Sequence, residues 1–265
     1  MIRKVLLFVL IVSSVTFTSC SKFQKLLKSP DNEKKFEESQ KLYKEHDYYR
    51  AIQLFDLIAP VYRGTKKAET ITFQQAWCYY YEANYDNASY YFNMFAQQYP
   101  LSENAEEASY MSAYCTYIQS PKYTLDQTKT YEALKELQRF VNVYPHSKRV
   151  EESNKLIDEL HAKLEKKFYE IALLYYKTQS YPAAVKAFEN LLEEYPGAQH
   201  KEEILFYIFK SYYEFAKKSI DDKKKERFES ALESYNNLVY LFPDTKYLKE
   251  AQGYHKNVKN SLNIK

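Results

Sequence analysis

Apolar and small residues fall at i, i+3 and i+7 in five successive stretches, the spacing that puts them on one face of a helix. Tyr48, Ala51 and Phe55 open the series, and Tyr85, Ala88 and Phe92 follow. Then come Thr130, Ala133 and Leu137; Tyr181, Ala184 and Phe188; and Phe228, Ala231 and Tyr235. In four stretches a proline stands twelve residues after the alanine (Pro100, Pro145, Pro196, Pro243), with Arg63 in its place in the first. The alanine is small where two helices approach. The proline ends the helix, because it lacks a backbone N–H and clashes with the preceding turn. A hydroxyl two residues later, at Ser102, Ser147 and Thr245, is placed to cap the next helix; Ala198 departs from that rule.

Each stretch is preceded by a second apolar helix with its own small residue: Ser39, Ala76, Ala113, Ala172 and Ser211. From there to the following alanine is twelve residues in copies one, two and four, and twenty in copies three and five. The pattern therefore predicts longer inter-helix segments over residues 119–130 and 217–228. Thr124 and Gln127 have the spacing of a capping box, which predicts a clean helix start at the end of the first insert. Residues 147–176 lack Gly and Pro and carry apolar residues at helical spacing, so they read as one long helix of about 30 residues, roughly 45 Å. A final helix over residues 248–258 would cover the last repeat face. Self-similarity at this period means stacked helix pairs, each needing a neighbour to bury its apolar face.

These residues resemble the tetratricopeptide repeat, in which a small residue, two aromatics, an Ala, a Phe and a Pro recur within about 34 residues. Copy two fits at Ala76, Tyr79, Tyr85, Ala88, Phe92 and Pro100, and copy four at Ala172, Tyr175, Tyr181, Ala184, Phe188 and Pro196; the others are degenerate. The expected fold is all-α, an α-solenoid of five degenerate tetratricopeptide repeats with a long joining helix. Residues 33–146 would hold repeats one to three. Residues 147–265 would hold the long helix, repeats four and five and a capping helix.

Composition sharpens this picture. The chain has 3 Gly against 29 Tyr and 16 Phe, which favours helices with short loops and many rings to place. The resemblance implies that first helices line a concave surface through positions three before, one after and four after the small residue. In copies one to three these are Phe36, Gln40 and Tyr43; Phe73, Trp77 and Tyr80; Tyr110, Tyr114 and Tyr117. Copies four and five supply Tyr169, Leu173, Tyr176, Ile208, Tyr212 and Phe215. A surface facing only solvent rarely carries such a strip. Two readings stand: a cleft for a peptide with aromatic side chains, or rings packed on one another. Phe36, Tyr43, Phe73, Trp77, Tyr80, Tyr110, Tyr114 and Tyr117 are the candidate peptide groove.

Residues 1–19 have the layout of a secretory signal: Arg3 and Lys4, an apolar run too short to span a bilayer, then small and hydroxyl residues. The closing tetrad Phe17-Thr18-Ser19-Cys20 resembles a bacterial lipobox, with Phe17 where Leu is usual. The resemblance implies that Cys20 is acylated, palmitate included, at the head of a lipidated linker over residues 20–32. Removing Arg3 and Lys4 from the 38 basic residues leaves 36 against 35 acidic, a balance of +1 that gives no support for nucleic-acid binding. The cluster Lys223-Lys224-Lys225 is interleaved with acids and reads as a solvated helix face. Cys78 and Cys115 occupy equivalent positions in neighbouring copies and read as small buried residues. The five histidines are scattered, and no phosphate loop or nucleophile elbow is present. An enzyme is not expected, nor any metal, nor a cofactor beyond the acyl chains on Cys20.

The lipobox, a short linker, five divergent repeats and a long joining helix together resemble the BamD family of outer-membrane protein assembly lipoproteins. Residues 120–131, Ser-Pro-Lys-Tyr-Thr-Leu-Asp-Gln-Thr-Lys-Thr-Tyr, and Tyr144-Pro145-His146-Ser147 are similar to the equivalent stretches in members from the Bacteroidota. The resemblance implies a lipid-anchored, periplasm-facing outer-membrane scaffold. It would bind a BamA-type barrel protein and receive the C-terminal signals of unfolded outer-membrane proteins. A second reading is another periplasmic repeat lipoprotein that coordinates cell-envelope or peptidoglycan synthesis.

Overall fold

The computed structural model describes residues 22–264, so the signal segment and Cys20 lie outside the described residues. Helices are the only regular elements among them. A helical segment over residues 22–27 comes first. Copy one is α1 (Asn32–Lys44) and α2 (Tyr48–Ile58), copy two α3 (Lys66–Tyr81) and α4 (Tyr85–Gln98), copy three α5 (Ala105–Ile118) and α6 (Thr128–Val143). The long helix α7 (Val150–Lys177) runs for 28 residues, and its C-terminal part pairs with α8 (Tyr181–Glu194) as copy four. Copy five is α9 (Lys201–Lys217) and α10 (Asp221–Leu241), and α11 (Leu248–Leu262) packs on both as a cap.

The chain forms two compact units. One comprises the described residues up to Pro121 with Gln127–Ile157; the other comprises Lys122–Asp126 and the residues from Asp158 onward. The division thus falls inside α7 rather than at residue 147. In the first unit each helix packs on the next from α1 to α6. In the second, α8, α9, α10 and α11 do the same, and Lys167 of α7 donates to the carbonyls of Tyr123 (3.1 Å) and Leu125 (2.8 Å).

The five alanines are fully buried, as are the five small residues of the first helices. Phe55, Phe92, Leu137 and Phe188 are equally buried one turn later. The cores interlock neighbouring copies. Phe55 and Ile58 share a cluster with Ile71 and Cys78 of the next copy, and Phe92 and Phe95 share one with Met111, Cys115 and Phe140. Each such ring contributes about 1.5–3 kcal/mol by leaving water, which no single copy could realise alone.

The twelve-residue spacing has a local cause. In copies one, two and four the first helix ends in a left-handed residue, His46, Ala83 or Gln179. Asp47, Asn84 and Ser180 then donate to carbonyls five residues back (Leu42, Tyr79, Tyr175), each at 2.9 Å. This is a Schellman closure, and the second helix begins at the next aromatic, Tyr48, Tyr85 or Tyr181. Asp47 and Asn84 cap it, accepting from the N–H groups of Arg50 and Asn87. At the other end Tyr99, Tyr144, Tyr195 and Phe242 share one extended-side backbone conformation, imposed by the proline that follows each.

The two twenty-residue copies solve their extra length differently. After α5 the chain runs irregularly to Gln127. After α9 the extra residues are absorbed as added turns of α10, from Asp221 onward. Pro121 breaks the first insert. The second is unbroken by Pro or Gly, and Lys223–Glu226 and Lys224–Asp221 pairs line its solvated face. The capping box expected at Thr124 does not form. The helix starts at Thr128, and Gln127 turns inward to accept from the Thr130 hydroxyl at 2.8 Å.

Ser102, Ser147 and Thr245 each accept from the N–H two residues on rather than acting as the helix cap itself. Ser147 also donates to Glu106 (2.6 Å), and Thr245 donates to Glu202 of the preceding first helix. Where Ala198 lacks the hydroxyl, the Gln199 N–H still reaches Glu165 at 3.0 Å. The segment over residues 22–27 is not a free linker. Phe23 is buried, and Leu26 and Leu27 join it at helical spacing against the core of copy one.

Candidate functional site

The first helices of unit one, α1, α3 and α5, carry the candidate groove. Gln40 donates to Gln74 at 2.6 Å between α1 and α3, and the Phe73, Trp77 and Tyr80 rings of α3 share one cluster with Tyr114 of α5. Phe36, Tyr43, Phe73, Trp77, Tyr80, Tyr114 and Tyr117 are all half-buried. Phe73, Trp77 and Tyr80 pack on one another along α3 and Tyr114 on Tyr117 along α5, while Phe36 and Tyr43 pack on Tyr62 and Tyr48; each residue keeps part of its surface in solvent. Tyr110 departs from the expectation: it is 2% exposed. Phe140 from α6 meets it edge-on at 5.5 Å, and the Arg149 guanidinium covers its other side at 4.5 Å. Tyr110 therefore supports the face from behind instead of presenting a ring.

Two ring ladders give the face its form. Along α5, Tyr110, Tyr114 and Tyr117 stack nearly parallel at one-turn spacing, 5.8 and 5.9 Å between centroids. On α3, Tyr81 stacks on Trp77 (5.6 Å) and on Tyr48 of α2 (4.6 Å). Tyr81 is 51% exposed, and sequence reasoning missed it. It stands five residues after Ala76, not four, and its partner Tyr48 is counted among the second-helix positions. Offset stacks of this kind hold flat apolar area in place at little entropic cost.

Charged groups stand at both ends. Lys67 lies over the Phe36 and Tyr62 rings, 4.8 and 5.0 Å away, and binds Glu33. At the other end Arg149 holds Glu107 and Glu152, both at 3.0 Å. Burial pushes the Tyr43 phenol up to about 12, aided by neighbouring Tyr81, and burial also raises Tyr80. The phenols are therefore protonated donors at neutral pH. The equivalent positions of unit two are also half-buried, Ile208 excepted. Ile208 is buried, Arg227 covers Phe215 at 3.9 Å, and Lys210 sits among Tyr176, Phe206 and Tyr254 while bonding Glu250 at 2.8 Å.

Cys78 and Cys115 are free and buried, and desolvation raises both thiols to about 12. Among the described residues no cluster of His, Cys, Asp and Glu is arranged to hold a metal ion. Likewise no described helix is long and apolar enough to cross a membrane.

Paired helices that cross at small residues, and leave half-buried rings on one face, define a helical-repeat α-solenoid of the tetratricopeptide type. The chain belongs to the YfiO family, outer membrane lipoprotein, which it matches over residues 29–227. Solved structures similar to it include the TPR2AB-domain:pHSP90 complex of yeast Sti1, at 14% identity, covering 86% of this chain and 98% of that one with a TM-score of 0.40. The TPR domain of P58(IPK) is similar at 13% identity, covering 91% of this chain and 68% of that one with a TM-score of 0.41. No curated protein sequence matches.

Proposed function

We propose that the protein is a non-enzymatic scaffold and substrate receptor of the outer-membrane β-barrel assembly machinery. It is anchored through acylated Cys20 and faces the periplasm. It binds a BamA-type barrel protein, and the aromatic face of α1, α3 and α5 receives the C-terminal signals of unfolded outer-membrane proteins. Family membership supports the setting. The observation that carries the receptor role is the strip of half-buried rings from Phe36 to Tyr117 on successive first helices of unit one, Tyr110 excepted. An extended peptide ending in an aromatic residue would lay its ring on such a strip.

Buried interface aromatics typically contribute at least about 1 kcal/mol each. Tyr80→Ala with Tyr117→Ala is therefore expected to weaken a barrel-derived C-terminal peptide about thirtyfold or more, with circular dichroism unchanged. Unchanged affinity in a calorimetric titration refutes the receptor face. Co-purification tests the setting: retrieval of a BamA-type protein supports it, and retrieval of cell-wall synthesis enzymes alone favours the envelope-coordination reading. Cys20→Ser should release the protein from the membrane fraction on washing with high salt.

A further inference from the structure

Outside the aromatic face, a strongly basic concavity lies at the start of the described chain. An open cavity of about 630 Å³ is lined by Lys22, Lys25, Lys34, Lys41 and Arg50, with Glu38 as its only acid. Arg50 is committed to Asp47 and to the Phe23 ring (5.6 Å), and Lys41 leans toward Glu38 at 3.7 Å. The ammonium groups of Lys22, Lys25 and Lys34 make no ion pair among the described residues. Elsewhere in this unit Lys67, Lys129 and Arg149 each hold a carboxylate.

The cavity is also fixed to the body of the protein. Phe23, Leu26 and Leu27 pack into the core of copy one, so the segment bearing Lys22 and Lys25 is held against α1 and α2. Lys22 is two residues from Cys20, and a chain reaches at most about 3.6 Å per residue, so the two Cα atoms lie within about 7 Å. That is inside one Debye length, about 8–10 Å at ordinary salt.

We infer that this concavity is a seat for the phosphate-bearing headgroups of anionic lipids, which holds unit one directly against the membrane surface beside its anchor. The inference rests on Cys20 as the anchor residue. A basic patch beside an acyl anchor is a recognised second membrane signal. Each cation near an anionic surface strengthens binding about fivefold.

The test uses the mature chain from residue 20 with Cys20→Ser, so that no acyl chain contributes. It should sediment with vesicles of equimolar phosphatidylglycerol and phosphatidylcholine, but not with phosphatidylcholine alone, and lose that binding as salt rises. Lys22→Gln, Lys25→Gln and Lys34→Gln together should weaken it roughly a hundredfold. The charge-matched set Lys223→Gln, Lys224→Gln and Lys225→Gln should not. All three substituted lysines of the seat are exposed, so helicity is expected to persist. Equal loss in both sets, absent vesicle binding, or binding of free glycerol phosphate with no response to vesicles overturns the inference. Membrane fractionation of the acylated chain reports on the anchor separately, and peptide affinity of the lysine variant reports on the aromatic face.

Discussion

Tyr110→Ala separates a supporting residue from a receiving one. The side chain is almost fully buried, stacked on Tyr114, edge-on to Phe140 and covered by Arg149. Truncating a buried aromatic costs about 3–5 kcal/mol. Loss of the cation–π contact adds about 0.5–1 kcal/mol. Burial, with Glu152 nearby, raises the phenol above its ordinary value, so the carboxylate and Arg149 lose a shared neighbour. Collapse of the neighbouring rings recovers part of this, leaving an expected loss of about 4 kcal/mol. Tyr117→Ala, at a half-buried ring on the same ladder, should cost no more than about 1.5 kcal/mol, because most of that ring's lost contact is with water-accessible surface. Urea unfolding followed by circular dichroism gives both values by linear extrapolation. Peptide binding, measured where each variant is folded, should fall for Tyr117→Ala. If Tyr110→Ala costs under about 1 kcal/mol and abolishes peptide binding, the division between supporting and receiving rings is wrong.

Other positions yield sharper single-site expectations. Ala83 is held at a φ of 55°, so Ala83→Gly should stabilise unit one by about 0.5–1 kcal/mol in the same urea assay; destabilisation would contradict the strained-turn account. The Ser211 hydroxyl is buried without a hydrogen-bond partner, whereas its counterpart Ser39 donates to the Phe36 carbonyl at 2.7 Å. Ser211→Ala, which restores the residue found in copies two to four, should stabilise by about 1–2 kcal/mol, and Ser39→Ala should not. Cys78 and Cys115 should resist thiol reagents until the protein unfolds. Their folded pKa values lie above the ordinary value of 9.0, so the unfolded state gives up these protons first. The stability they contribute is intact below pH 9 and falls as pH rises toward about 12, read as a shrinking urea midpoint; a midpoint that rises over this range would reverse the sign.

Much of the fold was legible because the repeat signals are local. The alanine-to-proline interval encodes a helix with a defined crossing point and a defined end. The twelve-residue spacing encodes one Schellman turn, used three times. The twenty-residue spacing did not reveal its outcome, since equal lengths became a loop after α5 and added helical turns after α9. That choice turned on Pro121 in the first insert and on unbroken helix-forming residues in the second. The ring positions on α1, α3 and α5 were readable from helical phase. Their exposure was not, because it depends on residues far along the chain: Phe140 and Arg149 seal Tyr110. Tyr81 was missed because its outward position follows from stacking on Trp77 and Tyr48, not from the repeat. The basic cavity was invisible as a motif, since its cations come from residues 22 to 50 and meet only when Phe23 docks.

Trp77 is the sole tryptophan of the chain and stands in the middle of the proposed receptor face. Its fluorescence during titration with a tryptophan-free peptide from a barrel C-terminus is the most direct test. A saturable blue shift, lost on Tyr80→Ala with Tyr117→Ala, is the result predicted here. An emission spectrum that stays fixed while calorimetry records the same peptide binding would place the peptide elsewhere and contradict the account.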